Sequence, residues 1–251
     1  MLIRLLTLKT QRLDNSLLVN QLRRDIMRLE GFRPASSDAL CIDGLRLIEA
    51  TFPNAVFPKG AVHEFLTFKP EHVAATAGFA AGILSKLMNA DGVCLWISTK
   101  RKIFPRSFKA FNVLPGNIVF VNAGHDRHTL WAVEEALKCK AVATVIAEVP
   151  ELTFMQSRRL QLAVEKSNVT GFVLRTDARK LCTTTCVARW EVKPIASHLD
   201  DGMPGVGFPR WSVSLLKVRN GKTGSWIVEW SGDGYRVVEE GTAVEHVKKA
   251  G

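Results

Sequence analysis

Four nearly unbroken apolar runs, Val93–Ser98, Asn117–Asn122, Ala141–Ala147 and Gly171–Arg175, constrain this chain more than any other feature. Runs that are apolar on both sides of the pleat belong to strands buried on both faces, the habit of parallel sheets. Helical patterns lie between them, one from His128 to about Lys138 and one opened by Thr153. Strand and helix alternating at this spacing imply right-handed crossovers and an α/β fold, a mostly parallel sheet flanked by helices. A further strand, Ala61–Leu66, precedes the series and leads through a polar loop, Thr67–His72, into a helix over Val73–Met88 whose alanines and glycines permit close approach to a sheet. From Thr183 onward the pattern changes. Residues 186–195, 210–218, 225–230 and 235–240 alternate apolar with polar, with turn signals at Asn220-Gly221 and Gly232-Asp233-Gly234. These read as antiparallel C-terminal strands that extend the sheet.

Ahead of this core, Asn15 or Ser16 can cap a helix running to about Glu30, in which Leu18, Leu22, Ile26 and Leu29 recur at helical spacing opposite Asn20, Arg23, Arg24 and Arg28. Arg33–Asp43 carries Pro, Ser and Asp and reads as a linker, so residues 1–43 form an N-terminal helical arm with its linker and residues 44–251 the core. The apolar stripe is a candidate partner-binding surface; an ordinary packing helix is the alternative. With 251 residues, 47% of them hydrophobic, there is ample core. A net charge of +10 and a pI near 9.6 point to polyanions, nucleic acid first, with solubility as the plainer reading. Arg4 and Lys9 interrupt the apolar start before a signal core could form, and no run approaches the ~20 residues of a membrane span. A cytoplasmic protein with no membrane partner is the expectation. The cysteines, Cys41, Cys94, Cys139, Cys182 and Cys186, are odd in number and mostly inside apolar runs, as in a reducing compartment. Cys182 and Cys186 lack the second half-site of a zinc knuckle, and buried strand cysteines are expected.

The turn from Leu66 into the long helix is where a nucleotide-binding α/β protein keeps its phosphate loop, GxxxxGK[ST], whose backbone N–H groups cradle phosphate at a helix N-terminus. Thr67–His72 contains no glycine, and no lysine–hydroxyl pair follows it. His125 and His128 flank a strand-to-helix junction without a third ligand, and His63 and His72 read as structural. No Gly-x-Ser-x-Gly, HExxH or paired CxxC motif occurs. No catalytic residue, cofactor or metal is therefore expected. The stronger candidates are two basic sets. Lys100, Arg101, Lys102, Arg106 and Lys109 are interleaved with Phe104 and Phe108, the mixture of charge and stacking that holds single-stranded nucleic acid. The alternative is a solvated loop whose phenylalanines dock inward. Arg210, Lys217, Arg219 and Lys222 form the second set, on the C-terminal hairpin.

The approach Pro58-Lys59-Gly60-Ala61-Val62-His63-Glu64 resembles the P-x-G-x-(I/V)-x-E entry to the phosphate loop of RecA-type recombinases. On that pattern His72, Val73 and Ala74 stand where the loop's last glycine, lysine and hydroxyl residue would be, and Lys100 stands near the position of a catalytic glutamate. Glu148 falls where an acid would meet magnesium; without its partners it is expected to contact Lys, Arg or solvent. In Leu66–His72, Trp131–Cys139, Ser157–Ala163 and Gly202–Trp211 the chain resembles the ImuA family, in a phosphate-loop-deficient branch. That resemblance implies a RecA-like core that serves, without catalysis, as an accessory or adaptor in damage-induced mutagenic translesion synthesis. Its implied partners are an ImuB-like Y-family polymerase homologue and an error-prone replicative-type polymerase, with RecA and single-stranded DNA as further candidates. Trp211, Trp226 and Trp230 offer a second interface or, alternatively, core. The alternative function is a cell-division inhibitor resembling SulA.

Overall fold

Strand β1 (Val62–Leu66) is buried at every residue and lies inside a nine-stranded sheet of order β3-β2-β4-β5-β1-β6-β7-β8-β9. The computed structural model describes residues 18–19, 21–22, 41–88, 92–100, 103–178, 181–197 and 207–241. The chain divides into two compact units, 1–39 and 40–251. In the first, the described residues are helical, and Leu18 and Leu22 are exposed. Ile26 and Leu29 of the expected stripe lie outside the described residues.

In the second unit, β2 (Cys94–Ser98), β3 (Ile118–Asn122), β4 (Thr144–Val149) and β5 (Thr170–Arg175) are the four apolar runs, and every pairing among them and with β1 is parallel. Strands β4 and β5 are buried at all their residues, which is why those stretches read as continuous rather than alternating. Strand β6 (Ala188–Ile195) pairs with β1 in parallel and with β7 (Arg210–Val218) antiparallel, followed by β8 (Gly224–Trp230) and β9 (Tyr235–Gly241). The antiparallel block thus begins one strand later than the sequence pattern implies. The chain leaving β5 crosses over β1 instead of turning back beside it, so β6 enters in the direction of β1.

A four-residue turn, α1 (Arg46–Glu49), precedes the sheet. Helix α2 (Pro70–Leu87) covers one face, where Phe79 meets Trp190, Trp211 and Tyr235 at ring-centroid distances of 6.0, 5.9 and 5.3 Å. Its small residues are required there, since a methyl group on Gly82 would overlap the Tyr235 hydroxyl. Helices α3 (Asp126–Lys138) and α4 (Phe154–Ser167) supply the opposite face, where Val133, Leu137, Leu160 and Val164 pack on Val62, Val145 and Val173. Thr153 and Gln156 close a capping box at the start of α4, and the side chain of Glu134 joins Arg159 across α3 and α4 at 2.6 Å. Trp211, Trp226 and Trp230 are all buried, so the hairpin tryptophans are core. No described helix is long and apolar enough to cross a membrane.

Candidate functional site

Ligands of open α/β sheets bind beyond the carboxyl ends of the parallel strands, so the loops that leave those ends are where a site is sought. The connection from β1 to α2 is only Thr67–Lys69, shorter than the six-residue loop expected. Pro70 takes the first helical position, where its missing N–H costs nothing, and the helix therefore starts three residues before Val73. Thr67 is sewn to the end of β5, with its N–H and Oγ1 both donating to the Arg175 carbonyl, at 3.1 and 2.5 Å. His72 is consequently a buried residue of the first helical turn, and its Nδ1 has no hydrogen-bond partner.

At the end of β4, Glu148 is buried and its Oε1 accepts a 2.8 Å hydrogen bond from the Trp96 indole on the neighbouring strand. That indole is a partner which the expectation of a Lys, Arg or solvent contact did not include. The indole reaches it because β2 and β4 pair with Trp96 opposite Ile146, two residues from Glu148 on the same face. Lys100, just past β2, is exposed, and its carbonyl accepts from Ser98 Oγ at 3.2 Å.

The structure parts the two basic sets. Past β2 the chain coils into three-residue-per-turn helix over Pro105–Phe111. Phe108 turns inward onto Trp96, 5.3 Å between centroids, while Phe104 stays 66% exposed. Lys100, Arg106 and Lys109 are exposed and enter no ion pair among the described residues; Arg101 and Lys102 lie outside them. Three of the four hairpin cations are otherwise employed. Arg210 lies 3.5 Å from the Glu229 carboxylate, Lys217 donates to the Thr184 carbonyl at 2.6 Å, and the Arg219 guanidinium donates to the Thr185 carbonyl. Burial, reinforced by the neighbouring Arg189 charge, pushes the Lys217 amine down from its usual range. Arg210 and Arg219 also sit at opposite ends of nine-residue β7, roughly 30 Å apart at ~3.3 Å per residue, so the set is not one patch. Lys222 is exposed.

Between α2, the coil at 103–111 and the approach to β7 opens a cleft of about 590 Å³. Its floor is the small-residue face of α2, with Ala74, Ala77, Gly78 and Ala81, and its walls are aromatic, with Phe104, Phe111, Phe208 and Trp211. Sequence reading missed this cleft because it is built from four segments, the end of β6 at Pro194 and Ile195 among them, with no local signature. It also missed a buried ion cluster on the opposite face: Glu64 Oε1 accepts from Arg175 Nη1 at 3.2 Å, and Oε2 accepts from Arg189 Nε and Thr184 Oγ1, each at 2.8 Å. A glutamate inside the apolar run Val62–Leu66 is the signal that could have found it.

Of the cysteines, Cys94 and Cys186 are buried and Cys41, Cys139 and Cys182 exposed; Cys94 lies in β2, while Cys186 precedes β6, so the buried-strand expectation holds for Cys94 alone. Burial pushes the Cys94 thiol up and, with the Glu64 charge nearby, takes Cys186 up to about 12. His125 caps α3 by position and meets His128 edge to face at 5.7 Å. Among the described residues no group of three or more His, Cys, Asp or Glu side chains could hold a metal ion.

No family model matches the chain. It is 28% identical over 194 residues to the protein named Protein ImuA in two strains of Caulobacter vibrioides, an alignment covering 72% of this chain and 80% of that one.

Proposed function

The chain belongs to the ImuA family, and on that premise we propose that it is an accessory protein of damage-induced mutagenesis that works by binding partners and not by turning over a nucleotide. We read its core as RecA-like, with β1 and α2 as the elements that would flank a phosphate loop. The observation that carries this reading is the Thr67–Lys69 connection, three residues without glycine and tied to the end of β5. Phosphate is cradled when consecutive backbone N–H groups turn toward it, which takes a longer, glycine-bearing loop. The positions that would hold lysine and hydroxyl are Val73 and Ala74, both within α2. A RecA-like core without that site cannot use nucleotide to change state, and what remains useful is surface. The partners that fit this role are a Y-family polymerase homologue of the ImuB type and an error-prone replicative-type polymerase.

Deleting the gene tests the proposal. Damage-induced mutation frequency falls as far as it does on deletion of the partner polymerase subunit. An unchanged frequency, with filamentous cells on overexpression, would move the assignment to a division inhibitor.

A further inference from the structure

We propose that the outward face of α3 and α4 is a contact between two copies of this chain, brought together across a two-fold axis that passes beside Trp131. The contact stands apart from the role in mutagenesis, which neither requires nor forbids a dimer.

Helical spacing builds the face. Thr129, Val133, Ala136 and Leu137 form the buried side of α3, and the opposite side presents Arg127, Trp131 and Glu135 at four-residue intervals, all exposed. On α4 the buried side holds Leu160, Ala163 and Val164, and the outward side carries Met155 and Leu162. Trp131 is 64% exposed and Met155 69%. Glu134 lies three residues past Trp131 and Arg159 four past Met155, so the ion pair that joins Glu134 to Arg159 sets Trp131 and Met155 nearly level on neighbouring helices. Large apolar side chains grouped in water on adjoining helices add nothing to the core and mark a contact surface.

Charge selects the occupant. Helix α3 carries two basic and three acidic residues, and α4 three basic and one acidic, so the face is close to neutral on a chain of net charge +10. A second copy of a basic molecule is repelled least there, and a polyanion is attracted least. The pattern around Trp131 is also self-complementary. In an antiparallel pairing of α3 with its copy, centred on Trp131, the residue four before the centre comes opposite the residue four after it. Arg127 then meets the partner's Glu135, and the two-fold axis repeats the pair on the other side. Arg127 enters no ion pair among the described residues, and Glu135 shares Lys138 with Glu134 on the surface. Opposite charges equidistant from the centre are what an isologous contact needs and a partner of different sequence does not. The same axis lays α4 on the partner's α4, with Met155 close to it.

The 13 residues of α3 span about 20 Å, and two helices side by side cover a similar width, a small face by the standards of permanent dimers. Association in the micromolar range is therefore expected.

Sedimentation velocity on the full chain at about 1–200 µM, which brackets such a dissociation constant, is expected to show a monomer–dimer equilibrium. Trp131→Asp weakens it at least about tenfold, since a carboxylate replaces the central anchor. Arg127→Glu and Glu135→Arg each weaken it several-fold, and combining them in one chain restores it, because opposite charges again face each other across the axis. An equimolar mixture of the two single variants associates more tightly than either does alone. All three positions are exposed, and thermal melting verifies that each variant is folded. A monomer at every concentration, a dimer indifferent to Trp131→Asp, or charge variants that stay weakened when combined overturns the proposal. A monomer whose affinity for labelled oligothymidylate falls in Trp131→Asp also overturns it, and would make the face a nucleic-acid site.

Discussion

His63 and Glu64 are adjacent in β1 and leave the sheet on opposite faces, and burial treats them in opposite ways. His63 sits among Phe57, Phe172 and Trp190, donating from Nε2 to the Pro58 carbonyl at 2.8 Å and accepting at Nδ1 from the Trp190 indole at 3.3 Å. Desolvation lowers its pKa from 6.5 to about 4, against a smaller upward pull from the Pro58 bond. Between those two values the unfolded chain binds a proton that the native chain refuses. The stability that His63 contributes is therefore complete above pH 6.5 and is lost as the pH falls toward 4, by up to about 3 kcal/mol for a shift of this size. Urea midpoints at pH 7 and pH 4.5 read this out, and His63→Leu flattens the difference; an unaltered pH dependence would assign the titration to another group. On the other face, Arg175 and Arg189 converge on the Glu64 carboxylate, at 3.2 and 2.8 Å. Replacing it with leucine strips both guanidinium groups of that carboxylate inside the fold, at a cost of about 3–5 kcal/mol. A loss below ~1 kcal/mol in the same unfolding assay would show the cluster to be dispensable.

At the scale of elements, the connection between β1 and α2 and the strap between β5 and β6 are both tied down through backbone carbonyls. Thr67 is zipped to the end of β5, and the strap is held by Arg189, Lys217 and Arg219, which donate to the carbonyls of Cys182, Thr184 and Thr185. Cations spent on backbone carbonyls are less free to meet phosphate, so Lys217 and Arg219 act first on stability. For the β1–α2 connection, a fluorescent ATP analogue titrated with magnesium is expected to show no saturable binding below about 1 mM, an affinity of ~4 kcal/mol. Val73→Lys alone leaves this unchanged, since the added amine lies within the helix and the loop still lacks glycine geometry. Saturable binding by either form would restore the nucleotide-driven reading.

For the whole molecule, the net charge of +10 is the relevant quantity. It predicts weak, sequence-independent binding to single-stranded DNA. Neutralising four to six phosphates would give a log–log salt slope of about −3 to −4. A slope near zero would mean that the surplus charge serves only solubility.

The parallel sheet was legible because burial on both faces forces continuous apolar runs, and the helix after Thr153 because a capping residue marks its start chemically, whereas the start of α2 at Pro70 was read three residues late. The lack of a GxxxxGK[ST] pattern is a property of the sequence itself, a matter of residue types at fixed spacing. Other features depended on distance. Whether Phe108 or Phe104 faces solvent, and that Glu64 meets Arg175, Arg189 and Thr184, are decided by contacts between residues up to 125 positions apart. The cleft joins residues from Glu71 to Trp211. By itself the sequence determined the order and kind of the strands and helices, through local periodicity and capping. Only the tertiary structure decided which cations are committed to holding the fold, because a charge is neutralised by whatever lies near it in space.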